Sequence, residues 1–308
     1  MDKIRFYPAS LTTVAVSTAA VVFSFLFLIS LTLPQLEPFM AILLTGIVFL
    51  GIPHGALDIF MLRKVAKTSG ELLSLIGMYL FGLAVIAASW FFIPEGAFLF
   101  FIAFSCFHFA LSDLSRPFPP SGWLNTSSLE FAARFLIPFF VPFGIHPERS
   151  IELARLVRGT SVFDPLVPVF FVLACVALAL SVLVAFVEIV GAWKQKAEWR
   201  AVSLEPLVIF FLFFYLDPLY AFGIYFCFVH SVKHILNFLT SPIKVRFLEV
   251  LPYWLIPVAG LLILVLATAS SPATHGPVFF KWAIILISAI AFPHTLLVYL
   301  GKKTRILR

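Results

Sequence analysis

The stretch PLVPVFFVLACVALALSVLVAFVEIV, residues 165–190, contains a single charged residue, Glu188. At 1.5 Å per residue, a helix of this length crosses a hydrocarbon core about 30 Å thick. It is not an isolated run. Working outward, hydropathy and breaker residues mark further apolar segments at 11–33, 39–62, 71–93, 97–113, 128–144, 203–216, 218–240, 252–269 and 278–300. The composition agrees: the 308 residues are 62% hydrophobic and only 12% charged, too few charges to cover a water-facing surface. The fold class expected is all-α, a polytopic transmembrane bundle of about ten spans forming one integral membrane domain over residues 1–308. Eight or nine spans also fit, because 203–216 is short and Asp217-Pro218 reads equally as a kink or a re-entrant break.

The formal net charge is +6, but the basic residues sit in short loops between apolar runs, which suits orientation in a membrane and not nucleic-acid binding. With the N-terminus inside, the cytoplasm receives Lys3, Arg5, Arg63, Lys64, Lys67, Arg116, Lys194, Lys196, Arg200, Lys244, Arg246, Lys302, Lys303, Arg305 and Arg308. The outer side receives only Arg149, Arg155, Arg158 and Lys281, with Arg134 and Lys233 inside spans. Both termini are therefore expected in the cytoplasm, and the localisation is the cell (inner) membrane, multi-pass. The run 11–33 is too long for a signal-peptide core and reads as a retained span. Residues 145–162 suit a short amphipathic helix lying in the interface. Cys106, Cys175 and Cys227 lie in apolar runs without CxxC spacing and read as small core residues.

Five of the seven histidines, His54, His108, His230, His234 and His294, fall within spans; His146 and His275 fall in outer loops and read as solvated. In the ten-span arrangement the five lie roughly 11 to 17 residues from the outer ends of spans that all run inward, a slab about 9 Å deep. His230 and His234, in FCFVHSVKHIL, stand at i and i+4 on one helix face, the spacing at which two imidazoles bind one ion. His54, in GIPHGALD, has Asp58 at i+4, where a carboxylate can fix the ring tautomer. His108, in CFHFALSD, adds a further imidazole, and Asp113 at i+5 lies off its face, a second-sphere or boundary group. A single histidine in a span is explained by a helix-to-helix hydrogen bond. Four at one depth point to a metal held by His54, His108, His230 and His234, with Asp58, Asp113 and His294 behind them. Imidazole alone leaves Fe, Cu, Zn and Ni open. Lys233 is read as snorkelling, pairing with a carboxylate or binding a carbonyl product, and Gly51, Pro53 and Gly55 as marks of a kinked, closely packed helix.

GIPHGALD, FHFALSD, HSVKHIL and AFPHTLLV, spread along most of the chain, resemble the Brp/Blh family of membrane β-carotene 15,15′-dioxygenases, which supply retinal to microbial rhodopsins. The resemblance implies a non-haem Fe(II) centre held by histidines, O2 as co-substrate, and β-carotene cleaved at its central double bond to two retinals. It also implies a substrate that reaches the site from the lipid bilayer, and a rhodopsin as recipient of the product.

Two other readings stay open at this stage. A di-iron membrane desaturase or hydroxylase needs several clustered histidine boxes, whereas one HxxxH pair is present. A proton-coupled transporter relaying protons through span histidines would be supported by inverted repeats, and none is visible.

Overall fold

The computed structural model describes Gly46 and residues 50–114, 126–158, 163–194, 204–239, 255 and 275–303, with the side chains of 52–54, 56, 191–194, 237–239, 275–280, 283 and 300–303 left out. The expected spans at 11–33 and 252–269, and the loops carrying most of the inner-side basic residues, lie outside the described set apart from Leu255. Among the described residues every regular element is helical.

Prolines and polar caps set the helix boundaries. Helix α1, Ile52–Val65, begins with Pro53 in its first turn, where the missing N–H would be unpaired anyway. Helix α2, Ser69–Phe92, is capped by Thr68, whose side chain accepts from the Glu71 N–H, while Glu71 accepts from the Lys67 N–H. Only Ile93 separates it from α3, Pro94–Ser112, which again starts on a proline. Helix α4 covers Thr126–Ile145 and α5 covers Pro147–Arg158. A 3₁₀ turn, Asp164–Leu166, leads into α6, Val167–Lys194. After α7, Glu205–Tyr215, the chain breaks at Leu216 and Asp217. Asp217 then caps α8, Pro218–Ile224, by accepting from the Leu219 N–H. Helix α8 runs on through a π-helical segment, Tyr225–Ser231, into α9, Val232–Leu239. The last helix, α10, spans His275–Lys303 and contains Pro293.

Five of these stretches are long and apolar enough to cross a bilayer: Ser69–Phe92, Pro94–Ser112, Thr126–Ile145, Asp164–Val190 and Pro218–Leu236. Their outward faces suit lipid. Leu73, Phe81 and Phe92 of α2 and Phe186 of α6 are well exposed, a pattern that is costly in water and normal against acyl chains. Cys175 lies on such an exposed face, contrary to its reading as a core residue, whereas Cys106 and Cys227 are buried.

Helix α4 packs most extensively along α6, and α2 along α10. The α4–α6 approach depends on Gly144, where a Cβ would lie 2.7 Å from the Phe170 carbonyl oxygen. Similarly, a Cβ on Gly46 would lie 2.8 Å from Cβ of Cys227, so this part of the chain touches the π segment directly. Gly55 has nothing within 4 Å of its would-be Cβ, so close packing does not account for it.

Helix α5 forms where an amphipathic helix is expected, but its apolar stripe is not left for the membrane interface. Ile151, Ala154 and Val157 are buried in a cluster with Trp90, Phe98, Phe143 and Phe163. His146, expected to be solvated, is half-buried with Nε2 2.9 Å from the Phe214 carbonyl.

Candidate metal centre

Helices α3, α10 and the π–α9 stretch bring four imidazoles together inside the bundle. His108 lies with its ring centroid 4.9 Å from His230 and 5.0 Å from His294, and His234 lies 5.1 Å from His294 and 6.4 Å from His230. All four residues are buried. The surroundings are aromatic: Phe109 meets the His230 ring edge-on at 4.7 Å, Phe226 stacks on it at 6.0 Å, and Phe100 and Phe104 pack on Phe292, two residues before His294.

Two carboxylates hold two of these rings. Asp113, at the C-terminal cap of α3, places Oδ1 3.0 Å from His230 Nδ1 and accepts on Oδ2 from the Tyr225 hydroxyl at 2.8 Å. An ionised carboxylate only accepts, so the shared hydrogen belongs to Nδ1, and the nitrogen left to serve as a metal donor is Nε2. Asp58 on α1 stands in the same relation to His294: Oδ1 is 2.7 Å from Nδ1, and Oδ2 accepts from Tyr79 at 2.8 Å. Its expected partner was His54, four residues away. The His54 side chain lies outside the described residues; the structure places Asp58 on His294, 236 positions on.

The π segment explains how Tyr225 and His230 reach one aspartate. In an α-helix, residues five apart point about 140° away from each other, whereas an i→i+5 turn brings them to the same side. Ser231 donates to the Phe226 carbonyl, five residues back, in keeping with that wider turn. Ser112, which donates to the His108 carbonyl, also lies 3.4 Å from His230 Nδ1.

Next to Asp113 lies a buried ionic group that the histidine pattern did not reveal. Arg134 pairs with Glu130 at 2.8 Å and with Glu205 at 3.2 Å, and Lys233 reaches Glu205 at 2.6 Å and the Asp113 carbonyl at 3.1 Å. Lys233 thus pairs with a carboxylate, one of the roles open to it from the sequence. Arg134, within an apolar run four residues after Glu130, was the available signal for this network.

Among the described residues no three His, Cys, Asp or Glu side chains are grouped so as to hold a metal ion as they stand. One pair of imidazole nitrogens nevertheless has the spacing of donors to a shared ion. Nε2 of His108 and Nε2 of His230 are 3.2 Å apart. With imidazole–metal bonds of about 2.1 Å, that separation subtends an angle of about 100° at one ion. Nitrogen donors with their far ring nitrogens on carboxylates are the arrangement that metal-binding histidines adopt.

A family model described as "Beta-carotene 15,15'-dioxygenase" matches residues 45–300. Among curated proteins, the chain is similar to a "Probable beta-carotene 15,15'-dioxygenase Blh" of Halobacterium salinarum, with 32% identity over 214 residues, 63% of this chain and 60% of that one. It is also similar to a "Beta-carotene 15,15'-dioxygenase" of uncultured marine bacterium 66A03, with 24% identity over 192 residues, 61% of this chain and 65% of that one. The chain therefore spans less than two thirds of the length of these relatives. No solved structure matches.

Proposed function

The chain belongs to the β-carotene 15,15′-dioxygenase family, and from that premise we propose that it cleaves β-carotene at its central double bond with O2, giving two retinals. The observation that carries the proposal is the meeting of His108, His230, His234 and His294 in an aromatic, buried setting within a membrane bundle. In the reaction the central double bond breaks and each of its two carbons takes one oxygen atom of O2.

The proposed ligands of a non-haem Fe(II) are His54, His108, His230 and His234. When bound, the iron supplies the site at which O2 is activated. The remaining work falls to the protein. Asp113 keeps the His230 lone pair on Nε2, and Tyr225 stops the carboxylate from rotating. Phe109 and Phe226 wall the imidazoles and exclude water, which protects reactive species from hydrolysis and proton leakage. A polyene entering from lipid meets apolar surface along its whole length and is never transferred to water. The topology that goes with this reading has about ten spans in one membrane domain, both termini in the cytoplasm of a cell (inner) membrane, and a microbial rhodopsin as recipient of the retinal.

Expression in cells that accumulate β-carotene tests the activity. Loss of the carotenoid colour with retinal extracted in its place is the expected result, and unchanged β-carotene beside a well-expressed, membrane-inserted chain overturns it.

A further inference from the structure

Two tyrosine–aspartate–histidine chains converge on the imidazole cluster from unrelated parts of the sequence. In one, Tyr225 donates to Asp113, which holds His230; in the other, Tyr79 donates to Asp58, which holds His294. The tyrosine–aspartate distance is 2.8 Å in both, and the aspartate–histidine distances are 3.0 and 2.7 Å. We propose that His294 is a metal ligand of the same standing as His230, each imidazole presented by its own tyrosine–aspartate pair. The inference rests on the metal reading of the cluster.

Position supports it first. A histidine acting from behind a ligand would bond to that ligand through an intervening contact. His294 instead directs Nδ1 away to Asp58, and its ring centroid is 5.0 Å from His108 and 5.1 Å from His234. It is as near His108 as His230 is, and nearer His234 than His230 is. It stands within the ring of imidazoles.

Charge supports it independently. Arg134 and Lys233 pair with Glu130 and Glu205 in one contiguous network that lies beside Asp113 but is remote in sequence from Asp58. Asp58 and Asp113 are each almost fully buried, and each has a histidine on one oxygen and a tyrosine hydroxyl on the other. A buried carboxylate is stabilised by positive charge brought close to it. A divalent cation bound by imidazoles would bring such charge toward both aspartates, each through its own histidine. A purely structural histidine needs only a neutral acceptor such as a carbonyl, and gives no reason for a second buried anion held by its own phenol.

The test is metal binding by the full-length chain purified in detergent, read without reference to turnover. Metal-free wild type and variants are titrated with Fe(II) under anaerobic conditions and with Co(II), whose visible bands report the ligand set. Wild type should bind one ion. His294→Ala should lose Co(II) affinity as severely as His230→Ala and alter the visible bands. Tyr79→Phe and Tyr225→Phe, which remove only a hydroxyl, should each weaken binding by about 10-fold while keeping the band pattern. Wild-type affinity and bands in His294→Ala, with binding lost in His230→Ala, would overturn the proposal and leave the metal reading intact. Should His294→Ala not fold, wild-type affinity in Tyr79→Phe beside a weakened Tyr225→Phe overturns it equally. A wild-type chain that binds neither metal removes the metal reading itself.

Discussion

Asp113 Oδ1 and His230 Nδ1 lie 3.0 Å apart, joining the end of α3 to the π segment across 117 positions of sequence, and both side chains are fully buried. This contact links the ionic network to the imidazole cluster. It fixes which nitrogen of His230 faces the other rings.

Replacing that carboxylate tests its orienting role. Asp113→Asn keeps the shape but lets an amide N–H face His230 Nδ1, so the lone pair is no longer confined to Nε2. Metal affinity should fall by about 10- to 100-fold, and retinal formation with it. Asp113→Ala should additionally lower stability by about 1–3 kcal/mol, because the Tyr225 hydroxyl and His230 Nδ1 lose their acceptor in an apolar interior. Metal titration and thermal unfolding in detergent separate the two effects. An Asn variant with wild-type affinity would rule out orientation by charge.

How far the sequence could be read depended on the range of the signal. Helices such as Ser69–Phe92 and Pro94–Ser112 fall within a few residues of the expected runs 71–93 and 97–113, because apolarity, length and proline are local properties. The break at Asp217-Pro218 was legible for the same reason. The π segment was not: YFCFVHS carries no residue that distinguishes an i→i+5 turn from an α-helix. Nor were Tyr79 and Tyr225, whose aspartates are 21 and 112 positions away. Helical spacing from His54 to Asp58 saw only one helix, and so missed His294 arriving from another. The histidines themselves were conspicuous because ionisable groups in apolar runs are costly.

Glycine substitution separates close packing from mere helix propensity. Ala exceeds Gly by about 1 kcal/mol in a helix interior, so the sign depends on space. Gly144→Ala puts a methyl 2.7 Å from the Phe170 carbonyl oxygen, backbone that cannot swing aside. It should destabilise by about 1–3 kcal/mol as α4 and α6 move apart. Gly55→Ala meets nothing within 4 Å and should be neutral or stabilising by up to about 1 kcal/mol. Thermal unfolding of the two variants in one detergent gives the comparison; equal shifts would contradict the described packing.

The charge asymmetry makes a topological prediction. Reporter fusions at the two termini and in the loop containing Lys194, Lys196 and Arg200 should all report the cytoplasm. Placement of the C-terminus outside would require an odd number of spans, and the common depth of the span histidines would then be lost.

The ionic network gives the last prediction, and its sign follows from burial. Glu205 is the shared partner of Arg134 and Lys233, at 3.2 and 2.6 Å, and its side chain is 16% exposed. Glu205→Gln removes the anion that both cations share and leaves Arg134 with Glu130, beside Asp113. Breaking a buried pair from one side is commonly destabilising by about 3–5 kcal/mol; the partial exposure of Glu205 places the expected loss at the lower end. Lys233, with 28% of its side chain exposed, can turn toward solvent or headgroups when its partner is gone. Arg134, 1% exposed, cannot. A second change at Lys233 should therefore recover part of the loss: Glu205→Gln with Lys233→Gln should be more stable than the sum of the two single losses predicts, by a coupling of about 0.5–3 kcal/mol. Urea or thermal unfolding of the two single variants and the double variant measures that coupling directly. Strict additivity would mean that Lys233 and Glu205 act independently, and that the 2.6 Å contact does not stabilise the junction of α7 and α9.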